Sequence, residues 1–152
     1  MRRAEARGAV ALAPREALGL WLDTHRWPTF VEGFGHLVQA EPEWPEPGAR
    51  VVWESIPGGR GRVTERIVER DPRRVVTEVF EDALGGTQTV RVEAAPGGGG
   101  SVLDLSLEYE LTRGGPFREL ADAIFIRRAL RDALRRTLRR FAVEAEDEAG
   151  LR

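Results

Sequence analysis

Residues 102–111 alternate without a break: Leu103, Leu105, Leu107, Tyr109 and Leu111 are separated by Asp104, Ser106, Glu108 and Glu110. A period of two makes a strand with one wet face and one face that must be buried. Such one-sided alternation belongs to an antiparallel sheet, and the sheet's apolar face needs a second layer to cover it. Only one other segment is large enough to supply that layer. From about residue 117 to about residue 146 there is no glycine or proline, which allows a helix well beyond the usual length of roughly ten to fourteen residues.

The other apolar runs are short and bounded by turn residues. Residues 7–13 read as a first strand. Pro14 suits the first position of a helix, where its missing N–H would be unpaired anyway. The spacing of Ala17, Leu18, Trp21 and Leu22 then makes residues 14–23 helical. After Trp27-Pro28, residues 29–34 can form a second short helix, ended by Gly33 and Gly35. From residue 36 the period becomes two, with strands over 36–41, 50–56, 62–70, 74–82, 87–94 and 102–111. The breaks between them are the prolines Pro42, Pro45 and Pro47, then Pro57-Gly58-Gly59, Asp71-Pro72, Gly85-Gly86 and a glycine loop after Pro96. The expected fold is α+β: a curved antiparallel sheet of about six or seven strands wrapped around a long C-terminal α-helix, with two short helices after the first strand. This is a helix-grip arrangement, and it is expected as one domain over residues 1–152.

Several function classes are disfavoured by composition. There is no cysteine, and the two histidines, His25 and His36, have no metal-binding spacing, so no metal site and no cofactor are expected. The net charge is −2, and the helix arginines are interspersed with Glu119, Asp122, Asp132, Glu144 and Glu146. That reads as a solvated face rather than a nucleic-acid (RNA-binding) or phospholipid-binding surface. Arg2, Arg3 and Arg7 are not followed by an apolar run, so neither a signal peptide nor an integral membrane segment is expected, and the location is read as cytoplasmic. A monomer or homodimer is expected.

The order of these segments resembles a known family. Residues 14–23 followed by Trp27-Pro28 and Phe30 resemble its opening helix pair. Arg62-Val63-Thr64-Glu65-Arg66-Ile67 with Asp71-Pro72-Arg73-Arg74 resembles its central hairpin, and Gly86-Thr87 its next one. Gly114-Gly115-Pro116-Phe117 entering an arginine- and leucine-rich helix resembles its ending. The family is the polyketide cyclase/dehydrase and lipid-transport group of the START-like superfamily, also called SRPBCC or Bet v 1-like. The resemblance covers nearly the whole chain and implies the helix-grip fold. The superfamily includes lipid carriers, ligand sensors, cyclases and chaperone cofactors, so it does not settle one function.

Strand register identifies candidate pocket residues independently. An even-length turn at Asp71-Pro72 places Glu65 opposite Glu78, Ile67 opposite Val76 and Val63 opposite Phe80. A three-residue turn with a bulge at Gly86 sets Phe80 beside Val90 and Glu78 beside Val92. An even turn over the glycine loop sets Val92 near Leu103 and Val90 near Leu105. One face then collects Val63, Ile67, Val76, Phe80, Val90, Val92, Leu105, Leu107 and Tyr109, with Glu65 and Glu78 among them. On the helix, Leu120, Ile124, Leu134, Leu138 and Phe141 make one stripe, with Arg127 and Arg131 inside it. An arginine in an apolar stripe is costly unless a carboxylate or a ligand anion meets it. The expected pair is therefore Arg127 or Arg131 with Glu65 or Glu78. Tyr109 is core or a donor to a ligand carbonyl; Trp53 is core or a pocket wall; Trp21, Trp27 and Phe30 pack the short helices against the sheet edge or gate the pocket mouth. No residue is assigned as catalytic, Glu65 and Glu78 being the candidates.

Three functions compete. The leading one is binding or carrying an apolar small molecule, such as a lipid, a quinone or a polyketide-like compound, between sheet and helix. The second is a cofactor-independent cyclase or dehydratase using the carboxylates and an arginine. The third is a protein-interaction module, which would need an exposed apolar patch.

Overall fold

The computed structural model describes residues 2–112 and 116–151, with side chains in the C-terminal helix described from residue 124 onward. Strand β1 (Arg2–Val10) leads into α1 (Pro14–Leu22), a 3-10 turn (Thr24–Arg26) and α2 (Trp27–Phe30). Strands β2 (Phe34–Ala40), β3 (Arg50–Ser55), β4 (Arg62–Asp71), β5 (Arg74–Phe80), β6 (Leu84–Ala94) and β7 (Ser101–Leu111) follow, and α3 (Pro116–Gly150) ends the chain. The seven strands form one antiparallel sheet in the order β1-β7-β6-β5-β4-β3-β2. The expected helix-grip architecture is present. The Gly114-Gly115 turn and the Leu120 side chain lie outside the described residues.

Strand β1 starts five residues earlier than the sequence reading placed it. Its inward residues are small, Ala4, Ala6 and Gly8, paired with Leu107, Leu105 and Leu103 of β7, and such a run carries no strong strand signal. The small residues have a packing role. A Cβ on Gly8 would sit 3.1 Å from Leu138 Cδ2, so α3 is seated close on β1. Farther across the sheet the gap is filled by large rings. Trp21, Phe30 and Phe141 form a triangle with centroid separations of 5.4, 5.2 and 4.9 Å, and Trp53 stacks on Phe34 at 5.2 Å.

Strand β6 starts at Leu84, so Gly85 and Gly86 lie in the strand rather than in the turn. Gly86 faces Tyr109 across the ladder. A Cβ there would come within 2.3 Å of the Glu108 carbonyl oxygen and 3.0 Å of Tyr109 Cα, so only glycine fits.

Two registers differ from expectation. In the β4–β5 hairpin, Asp71 pairs with Arg74, but a bulge between Ile67 and Glu69 shifts the ladder, so that Glu65 pairs with Val79, Arg66 with Glu78 and Ile67 with Thr77. One extra residue exchanges the two faces. Glu65 stays inward with Val75, Thr77 and Val79, whereas Val76, Glu78 and Phe80 turn to the other face. Strands β5 and β6 pair Val75 with Val90 and Phe80 with Gly85, in place of the expected Phe80–Val90 and Glu78–Val92 neighbours. The β6–β7 pairs Val90–Leu105 and Val92–Leu103 are as expected.

Candidate functional site

The inward rows of the sheet are apolar except at a few places. Glu65 lies between Val51 and Val79, and Gln88 between Thr77 and Leu107. Trp53, two residues along β3 from Val51, is fully buried, and its indole Nε1 donates to Glu65 Oε2 at 2.7 Å. The Arg60 guanidinium sits 5.2 Å from the Trp53 ring centroid, and its Nε donates to Glu81. The Glu81 side chain is only 5% exposed, so the arginine is drawn inward at the rim of the sheet.

Trp53, Arg60, Glu65 and Gln88 border a cavity of about 70 Å³ between sheet and α3. Trp21, Trp27, Phe30, Val31, Trp53, Val79, Ala133 and Leu134 make its apolar wall; Glu32, Arg60, Glu65, Gln88 and Thr137 are the polar lining. Thr137 Oγ1 accepts the Glu32 backbone N–H at 3.0 Å, which ties α3 to the loop after α2.

Burial pushes the Glu65 carboxyl above the usual glutamate range, and nearby Glu81 pushes the same way. The Trp53 hydrogen bond and the Arg60 charge oppose that shift without cancelling it. The result is a carboxyl biased towards its protonated, hydrogen-bond-donating form in a largely apolar enclosure. Arg60 is committed mainly to Glu81, which limits the charge it lends to Glu65.

The sequence-predicted residues divide between this interior and the outside. Trp53, Val63, Glu65, Ile67, Val90, Val92, Leu105, Leu107 and Tyr109 face the interior, and Leu134 packs against it. Phe80 is 52% exposed, and Glu78 binds Arg66 at 2.8 Å on the outer face. Val76 is buried but belongs to neither inner cluster. Ile124, Arg127 and Arg131 are exposed, because the buried seam of α3 runs through Ile126, Leu130, Leu134, Leu138, Phe141 and Ala145. The arginines flank that seam: Arg127 Nε reaches the Arg3 carbonyl at 3.4 Å, and Arg131 lies 3.9 Å from Asp132. The expected pairing of Arg127 or Arg131 with Glu65 or Glu78 is therefore replaced by Trp53–Glu65, Arg60–Glu81 and Arg66–Glu78.

Tyr109 is fully buried in a second apolar cluster with Ala4, Leu84 and Leu107, under Ile126 and Leu130. Its hydroxyl has no hydrogen-bond partner among the described residues, and burial raises its pKa. Sequence reasoning missed Arg60, Glu81, Val79, Gln88 and Thr137. Val79 and Gln88 follow from the true strand parity; the Arg60–Glu81 contact joins two separate turns and has no local signal.

Residues 1–146 match the family model described as polyketide cyclase / dehydrase and lipid transport. The chain belongs to that family. Its fold recurs in a Thermus thermophilus protein, with 18% identity and a TM-score of 0.77 over 97% of this chain and 99% of the other. The di-domain ARO/CYC StfQ of the steffimycin biosynthetic pathway gives 19% identity and a TM-score of 0.77, over 97% of this chain and 51% of StfQ. A START superfamily protein from Mycobacterium smegmatis gives 13% identity and a TM-score of 0.70, over 95% and 97%. At these identities the likeness is one of fold. A search of curated proteins found no match. No helix among the described residues is long and apolar enough to cross a membrane.

Proposed function

We propose that the chain binds an apolar small molecule in the sheet–helix cavity, with Glu65 and Gln88 as its polar anchors. The supporting observation is the Trp53–Glu65 hydrogen bond on the wall of a cavity whose lining is mostly aromatic and aliphatic. A protonated Glu65 donates to a carbonyl or ether oxygen, and the Gln88 amide can donate or accept beside it. Ligand sites usually measure about 300–1,000 Å³. A ligand of more than a few heavy atoms must therefore enlarge the cavity of about 70 Å³, and turning the lining side chains costs less than breaking the strand ladders. Access is on the Arg60 side, where the guanidinium is partly exposed at the wall.

A second reading is favoured by the same carboxyl. An acid whose pKa burial raises above the usual glutamate range, with an arginine close by, is suited to protonate a carbonyl in a cyclase or dehydratase reaction. The neutral fluorophore N-phenylnaphthylamine tests the binding reading. Its emission should rise with the parent protein and fall back with Leu134→Trp, which fills the cavity. Equal binding by both proteins would place the dye elsewhere and contradict the proposal. For the enzymatic reading, Glu65→Gln should keep binding and lose turnover of polyketide-like substrates; retained turnover would exclude Glu65 as the acid.

A further inference from the structure

The outward side of α3 carries an unusual density of cationic charge. Between Ile124 and Val143 there are seven arginines, at positions 127, 128, 131, 135, 136, 139 and 140, and a single acid, Asp132. All seven arginines are exposed. Arg136 and Arg140 share Glu32, at 3.0 and 3.1 Å, and Arg131 lies 3.9 Å from Asp132. Among the described residues, two carboxylates thus offset only part of this charge.

Large apolar side chains stand on the same side. Phe125 is 73% exposed, Ile124 60% and Val143 59%. Phe125, Arg128, Asp132, Arg136, Arg139 and Val143 succeed one another at spacings of three and four residues, which puts them in one row along the helix. The opposite side is already buried against β1 and the aromatic core, so packing among the described residues does not account for Phe125.

We propose that this face of α3 docks the protein on anionic phospholipid membranes. Guanidinium groups match lipid phosphates in geometry and charge, and an aromatic or aliphatic side chain gains by entering the acyl boundary beneath the headgroups. A soluble polyanion would account for the arginines but leave Phe125 and Ile124 unexplained. The inference stands apart from the proposed ligand, since none of these outward residues lines the cavity.

Vesicle co-sedimentation tests it. The protein should pellet with vesicles of phosphatidylcholine mixed with phosphatidylglycerol, stay in the supernatant with phosphatidylcholine alone, and be released by high salt. Replacing three exposed arginines together (Arg128→Gln, Arg135→Gln, Arg139→Gln) should weaken partitioning on the order of 100-fold. Phe125→Ser should weaken it about tenfold. Unchanged circular-dichroism melts would confirm that these surface variants fold, and the salt response of the parent protein needs no variant. Failure to pellet with the anionic vesicles, or equal binding to both compositions, overturns the proposal. So does binding of a duplex DNA or RNA fragment that Phe125→Ser leaves intact in the absence of vesicle binding.

Discussion

Replacing Glu65 separates the hydrogen bond it accepts from the charge it carries. Because burial raises its pKa in the folded chain, the native state holds the proton more tightly than the unfolded state. Its contribution is therefore most favourable below the ordinary glutamate range and declines as pH rises from there through the raised value. Above both values, each tenfold tighter hold on the proton corresponds to about 1.4 kcal/mol of lost stability. Glu65→Gln keeps a side-chain oxygen for Trp53 Nε1, now at 2.7 Å from Glu65 Oε2, and removes the ionisation. It should make the protein as stable as the parent or more so at neutral pH, with the difference vanishing near pH ~4, around the ordinary glutamate value. Glu65→Ala removes the acceptor and leaves the fully buried Trp53 indole N–H unpaired, at a cost of about 1–3 kcal/mol. A water admitted to the enlarged cavity would bring that towards the lower end. Urea unfolding followed by tryptophan fluorescence, at neutral pH and near pH ~4, measures all three proteins. If Glu65→Gln lost as much as Glu65→Ala at neutral pH, Glu65 would be ionised and held by Arg60, and the reasoning would fail.

Three further substitutions probe the frame of the site. Tyr109→Phe deletes a buried hydroxyl with no partner among the described residues and should stabilise by about 1 kcal/mol in urea unfolding; a loss of that size would show that the hydroxyl is bonded. Gly86→Ala forces a Cβ against the Glu108 carbonyl and should cost at least about 1–3 kcal/mol, so an unchanged melting temperature would contradict the close approach of β6 and β7. Arg26 joins the 3-10 turn to Glu144 and Glu148 of α3, and its hydrogen bond holds the Glu144 carboxyl below the usual range. Arg26→Met should cost about 1–3 kcal/mol at neutral pH. That gap should narrow as pH falls through the depressed Glu144 value, because the parent loses there what the variant never had; a gap constant with pH would refute the assignment.

How far the structure could be read from the residues depended on the range of the interactions involved. Strand alternation and turn chemistry are local, so the strands from residue 50 onward were legible apart from their ends, as was the β6–β7 register that pairs Val92 with Leu103. The bulge between Ile67 and Glu69 is different. Nothing in Arg66-Ile67-Val68-Glu69 marks an extra residue, yet it decides that Glu78 and Phe80 face away from the side that Glu65 occupies. The first half of α3 is ambiguous for another reason. Ile124, Phe125 and Ile126 offer apolar groups over most of a turn, and which of them is buried depends on where β1 and β7 stand. Small residues in β1 seat the helix so that Ile126 points in and Arg127 falls to the flank. The inward placement of Glu65 was legible from its alternation with Val63 and Ile67; its partner Trp53, on the neighbouring strand, was read only as core or pocket wall.

The central claim is that an apolar ligand occupies the cavity beside Trp53 and Glu65. Three indole N–H groups have distinct acceptors: Trp53 donates to Glu65, Trp27 to the Trp21 carbonyl and Trp44 to the Leu22 carbonyl. An NMR titration of isotope-labelled protein with N-phenylnaphthylamine can therefore follow them separately. The Trp53 indole resonance should shift in proportion to dye bound, the Trp44 resonance should stay nearly fixed, and Leu134→Trp should abolish the Trp53 response. Saturating dye binding that leaves the Trp53 resonance unmoved would contradict the account.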